Sequence, residues 1–149
     1  MIQIKTVLLE IGSVAGNLGE ILLPATRKLM LVMVGGALGA ASRYGVSLYS
    51  VKTWGTSFPW GTLAVNLAGC FLIGLIFSLS ERMRVLTPEV RLFLVTGYLG
   101  ALTTFSTFSL ETVNAGRAGL MLQPLVNILI NNVGGISLTF VGMWLGRIR

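Results

Sequence analysis

Four long apolar runs, each closed off by charged or turn-forming positions, organise the chain. They cover residues 29–49, 60–79, 92–113 and 120–145. Each has roughly the 20 residues that an α-helix needs to cross a hydrocarbon layer of about 30 Å. The connections, residues 50–59, 80–91 and 114–119, are too short to hold a folded unit, so successive spans are predicted to run antiparallel as hairpins. Tyr49, Trp54, Trp60 and Trp144 fall near span ends, where amphipathic rings settle at headgroup level. Thr87-Pro88-Glu89 combines an N-cap hydroxyl, a proline at the first helical position and an acid in the first turn. That combination predicts the start of the third helix. The pattern as a whole predicts an all-α membrane protein of four transmembrane helices, with residues 29–149 as the membrane domain and no soluble domain.

Residues 1–28 read differently. Lys5, Glu10 and Glu20 interrupt their apolar pattern, and Gly12, Gly16 and Gly19 weaken a helix. The acids argue against a signal peptide, so this segment is expected to be an interfacial or poorly ordered extension.

Composition supports the membrane reading. Of 149 residues, 54% are hydrophobic and 11% charged, with a mean hydropathy of +0.83. A chain of this length has too little interior to hide so much apolar side chain, so lipid must be its other solvent. The 19 glycines suit membrane helices, which use small residues to approach one another closely. Histidine is absent from the sequence, which removes the usual zinc ligand and the usual proton shuttle at neutral pH. The single cysteine, Cys70, reads as a small packing residue.

The net charge of +6 bears on orientation. With the amino terminus in the cytoplasm, Lys5, Arg27, Lys28, Arg82, Arg84, Arg91, Arg147 and Arg149 share one side; Lys52 and Arg117 lie on the other, and Arg43 sits near a span end. The positive-inside rule then places both termini in the cytoplasm. Bases scattered along short loops, with no aromatic-rich basic module, do not make a nucleic-acid surface.

Polar residues inside the apolar runs carry the candidate chemistry. In the first span Gly35 and Gly39, and Gly36 and Ala40, stand four apart and predict a helix-packing face. Arg43 follows them, either as a snorkelling residue that sets helix depth or as a positive group at the mouth of an anion path. In the second span Asn66 needs partners, either as glue between helices or as a source of N–H donors for a passing anion. The third span holds Gly97, Gly100, Thr103, Thr104, Ser106, Thr107 and Ser109 around Phe105 and Phe108. Glycines and hydroxyls at membrane depth predict a helix broken there, whose unwound carbonyls could hold a cation. Phe105 and Phe108 share a face, and Glu111 stands about one turn on, as an interfacial acid or a partner for Arg117. In the fourth span Asn127, Asn131 and Gly135 recur every four residues, drawing a donor-lined stripe down one helix face. No acid faces the centre of a span, so a proton-coupled carboxylate mechanism has no obvious carrier.

Three motifs stand in order: Gly36-x-x-Gly39-Ala40-x-x-Arg43-Tyr44, Gly61-Thr62-Leu63-x-Val65-Asn66-x-x-Gly69, and Gly97-x-x-Gly100-x-x-Thr103-Thr104-Phe105-Ser106-Thr107-Phe108. Over residues 29–149 the chain resembles the Fluc/CrcB family of small fluoride channels. The resemblance implies a fluoride-selective passive channel in a prokaryotic cell membrane, built as an antiparallel homodimer with two pores and a structural sodium ion at its centre. It implies that the carbonyls of Gly100 and Thr103 from each subunit hold the sodium. It further implies that Asn66, Phe105 and Phe108 line the anion path, with Thr107 and Ser109 beside the rings, Asn127 and Asn131 as the polar track and Arg43 near the entrance. Two features depart from the family: Ala101 stands where a second glycine is usual, and the 28-residue leader is longer than typical.

The alternatives belong to other classes. A small dimeric multidrug-type exporter would want a glutamate embedded in the first span, and residues 29–49 have none. A non-conducting scaffold subunit would not need the hydroxyl-rich run from Thr103 to Ser109. For a homodimer, an antiparallel arrangement requires one chain to insert in both orientations. The basic-residue bias runs against that, which leaves an oppositely oriented homologue as the alternative partner.

Overall fold

The computed structural model describes the backbone of residues 2–83 and 86–148, and the side chains of residues 25–81 and 86–148. Helix α1 covers Ile2–Trp54 and α2 covers Trp60–Met83. The third span is two helices, α3 over residues 88–102 and α4 over Phe105–Arg117. Helix α5 is Leu122–Arg147. Among the described residues, four stretches are long and apolar enough to cross a membrane: Ala25–Trp54, Trp60–Glu81, Pro88–Arg117 and Leu122–Arg147. The first three coincide with the expected spans and are somewhat longer, and the fourth is of equal length but shifted by two residues. Helix α1 persists past residue 49, so the first connection narrows to residues 55–59, entered through Gly55 at φ 73°. The backbone of residues 2–24 continues α1 as helix; the side chains of that leader, including Lys5, and those of Arg82, Arg84 and Arg149 lie outside the described residues.

Glycines set how closely the helices pack. A Cβ on Gly39 would collide with the Tyr98 carbonyl oxygen, and one on Gly35 would stand 2.6 Å from the Phe93 oxygen. The Gly35/Gly39 face is therefore the seam between α1 and α3, as its four-residue spacing predicts. Tyr98 also donates to Ser42 across this seam at 3.2 Å. A second seam joins α2 to α5: a Cβ on Gly74 would meet the Thr139 carbonyl, one on Gly142 the Phe71 carbonyl, and one on Gly146 the Ser78 side chain. Gly97, expected to permit the bend in the third span, serves packing instead. It is helical and buried, and a Cβ there would lie 3.1 Å from Gly35 Cα.

The buried apolar core is small. Among the described residues, Val65, Leu99 and Leu102 form its contiguous cluster, with Val46, Leu72, Ile76 and Tyr98 packed against it. Large apolar residues such as Met33, Leu38, Leu129 and Phe140 instead face outward, as expected where lipid replaces water as solvent.

The third span begins as its sequence predicts. Thr87 is extended, its Oγ1 accepts the Val90 N–H at 3.3 Å, and Pro88 opens the helix. From Leu92 to Leu99 the turns are wider than α-helical, so that the Gly100 N–H reaches back to the Val95 oxygen. The helix stops at Leu102. Thr103 (φ −80°, ψ 158°) and Thr104 (φ −153°, ψ 117°) are extended, and α4 restarts at Phe105 with Thr104 as its cap.

Candidate functional site

Two residues of α2 hold the break open, one through its side chain and one through the lack of one. The Asn66 carboxamide acts on Thr104 as a strand neighbour would: its Oδ1 accepts the Thr104 N–H at 2.9 Å and its Nδ2 donates to the Thr104 oxygen at 3.2 Å. In an unbroken helix that Thr104 N–H would close a turn onto the Gly100 carbonyl. Asn66 diverts it, and the Gly100 carbonyl loses its usual donor. Three residues on, Gly69 gives Thr103 its seat, since a Cβ at Gly69 would collide with the Thr103 methyl group. The Thr103 hydroxyl returns to the Leu99 oxygen at 3.0 Å, and the Thr104 hydroxyl accepts the Thr107 N–H at 3.2 Å. Side chains thus re-satisfy the freed Thr104 N–H and carbonyl and the first N–H groups of α4, as membrane depth requires, while the Gly100 carbonyl is left over.

From Asn66 a row of amides runs along α5. Asn66 Nδ2 donates to Asn131 Oδ1 at 3.0 Å, and Asn131 Nδ2 donates to Asn127 Oδ1 at 2.9 Å. Asn127 Nδ2 then donates to Thr112 Oγ1 at 2.8 Å, and Thr112 donates to the Phe108 oxygen at 2.7 Å. Each link donates in the same direction. Among the described residues, Asn127 is the largest fully buried side chain, 2% exposed. A wide turn at Ile130–Gly134 falls on this row. Local widening of this kind recurs at functional sites, and nothing in the residue spacing announces it.

A cavity of about 330 Å³ opens at the break. Asn66, Gly100, Thr103, Phe105, Phe108 and Asn131 line it, and no Asp, Glu, Lys or Arg is among its lining residues. The two rings stand with centroids 5.6 Å apart at 50°. Phe108 is 7% exposed whereas Phe105 is 77% exposed, so the pair bridges the interior and the outer surface of the chain. The expected site residues divide accordingly. Asn66, Phe105, Phe108, Asn131, Gly100 and Thr103 meet at the cavity, and Asn127 stands behind it. Thr107 and Ser109 do not line it: the Thr107 hydroxyl accepts from Thr104 at 3.0 Å and Ser109 donates to the Phe105 oxygen at 2.8 Å. Arg43, half-buried on α1, does not line it either. Glu111 pairs with Thr62, whose hydroxyl donates to its Oε1 at 2.8 Å, and not with Arg117. Cys70, read as a packing residue, borders the same cavity with its Sγ against Gly135.

Four apolar spans, one of them unwound at membrane depth beside an uncharged cavity and a row of amides, define a membrane protein of the small channel and transporter class. The chain belongs to the CrcB family: the model described as "CrcB-like protein, Camphor Resistance (CrcB)" matches residues 30–143. Among curated proteins, the chain is 44% identical over 120 residues to the "Fluoride-specific ion channel FluC" of Citrifermentans bemidjiense, covering 80% of this chain and 97% of that one. It is 47% identical over 119 residues to the protein of the same name from Agrobacterium fabrum, covering 80% and 95%. A third of that name, from Legionella pneumophila, is 44% identical over 113 residues, covering 76% and 84%.

Proposed function

We propose that this chain is a subunit of a fluoride-selective passive channel that lets fluoride leave a prokaryotic cell across its plasma membrane. The observation that carries the reading is the cavity at the break, where two phenylalanine rings converge with the amides of Asn66 and Asn131 and no charged side chain stands between them. Fluoride is small and strongly hydrated, so a path must replace its water with close donors. Amide N–H groups supply these, and phenylalanine ring edges present a weakly positive rim. Both Asn66 amide hydrogens are engaged within the chain, on Thr104 and Asn131. An arriving anion therefore takes over a bond that already exists, which keeps each site shallow. Shallow, repeated sites suit passage, whereas a deep well would trap the ion.

The working unit in this reading is an antiparallel homodimer. Phe105 supports it, because a ring 77% exposed beside the Gly100–Thr103 break offers the surface that a second copy would cover. A sodium ion fits the same place: Asn66 has taken the Thr104 N–H that the Gly100 carbonyl would use, and Thr103 is extended out of the helix. Sodium bound by Gly100 and Thr103 carbonyls of two subunits would supply positive potential near both paths. The test is release from liposomes loaded with potassium fluoride or potassium chloride. Fluoride should escape and chloride should stay; release of both at one rate, or of neither, refutes the proposal.

A further inference from the structure

A second cavity, of about 400 Å³, lies at the end of the bundle where α1 stops and α2 begins, and Ser47, Ser50, Thr62, Glu111, Asn114 and Gln123 are in its wall. Two oxygens there are orphans. Ser50 is 2% exposed and its Oγ has no hydrogen-bond partner; Glu111 Oε2 is equally inaccessible and equally unpartnered. A serine inside a helix ordinarily returns its proton to the carbonyl four residues back, as Ser80 and Ser109 do. Ser50 does not, which leaves its hydroxyl an unused donor in the cavity wall. The space is far larger than one water, and several polar groups surround it, which is what an occupied, wet cavity requires.

The cavity also continues the amide row. Gln123 lies four residues before Asn127 and eight before Asn131, on the same face of α5. Gln123 lines this cavity and Asn131 lines the one at the break, with buried Asn127 between them. The Gln123 carboxamide makes no hydrogen bond among the described residues, in contrast to the amides of Asn127 and Asn131.

We propose that this cavity is the water-filled mouth of the anion path on the Trp54 side, and that the Ser50 hydroxyl and the Gln123 carboxamide are its anion-contacting donors. The inference rests on the channel reading. The donors stand on α1 and α5, away from the helix that carries Glu111. An incoming fluoride exchanges part of its hydration for Ser50 and Gln123 before it reaches the buried amides.

Ser50→Val and Ser50→Thr provide the test, because valine and threonine share a shape and differ by the hydroxyl. In liposomes, Ser50→Val should lose about fivefold or more of the fluoride efflux rate, and Ser50→Thr should stay within about twofold of the parent chain. The purified Ser50→Val protein should melt no lower than Ser50→Thr, because the hydroxyl it lacks has no protein partner. A merely structural Ser50 would instead lose stability and flux together. Equal efflux from the two variants overturns the proposal. Should the Ser50 variants not fold, Gln123→Met decides: a comparable loss supports the mouth and parental efflux overturns it. If the parent chain itself releases no fluoride, the channel reading fails; if it conducts and these variants conduct equally, only the mouth fails.

Discussion

Replacing Asn66 with leucine keeps approximate volume and removes every polar contact that holds the third span open. Three bonds disappear: Thr104 N–H to Oδ1, Nδ2 to the Thr104 oxygen, and Nδ2 to Asn131 Oδ1. Thr104 is 8% exposed, so its backbone groups have little water to turn to. At about 1 kcal/mol net for each lost bond, and up to about 3 for each buried group left unpaired, the cost is on the order of 3 kcal/mol or more. By the scaling for chains of this size, that lowers the melting temperature by roughly 6 °C or more. Thr104→Ala is the internal comparison. It removes the hydroxyl that caps α4 but leaves the Asn66 contacts, which use only the Thr104 backbone, and a lost cap costs about 1 kcal/mol. Melting of the purified proteins, followed by intrinsic fluorescence and paired with liposome efflux, should rank Asn66→Leu well below Thr104→Ala. It should also show Asn66→Leu without fluoride flux, because the break positions Phe105. Equal melting temperatures for the two variants, or a conducting Asn66→Leu protein of parental stability, would refute the argument that Asn66 builds the break.

Phe105→Ile and Phe108→Ile should each cut fluoride efflux at least about tenfold, a change of roughly 1.4 kcal/mol on the barrier. Phe105 is the cleaner probe, since its exposed ring adds little to the subunit's own core, and parental flux in both variants sinks the path assignment. Thr103→Ser should be mild, because the proposed sodium ligands are backbone carbonyls; a melting temperature that does not change when sodium is replaced by a large organic cation refutes the bound ion. Thiol labelling of a terminal cysteine in intact cells should find one accessible and one protected population if the chain inserts both ways. Uniform protection, with flux appearing only when a second homologue is co-expressed, would end the homodimer proposal.

Much of the architecture was legible along the chain, because the bilayer leaves few options. Each run of about 20 apolar residues must be a helix, since no other open structure satisfies its backbone in lipid. The cap at Thr87 and the packing face at Gly35 and Gly39 are also local, and their spacing alone announces them. The break in the third span was legible from its hydroxyls, but its cause was not. Gly97 and Gly100 remain helical, and the unwound residues are Thr103 and Thr104. That choice belongs to Asn66 and Gly69, more than 30 residues away on α2, and no local propensity encodes a partner on another helix. The Gly142 and Gly146 seam likewise acquires meaning only when α2 lies against α5. The amide row shows the division plainly. A four-residue spacing put Asn127 and Asn131 on one face, but whether those amides face a path or one another depended on Asn66 and Thr112, supplied by other spans. Sequence period decides which side chains share a helix face, and tertiary packing decides what that face meets, because hydrogen bonds are settled by neighbours a few ångströms away in space and not along the chain.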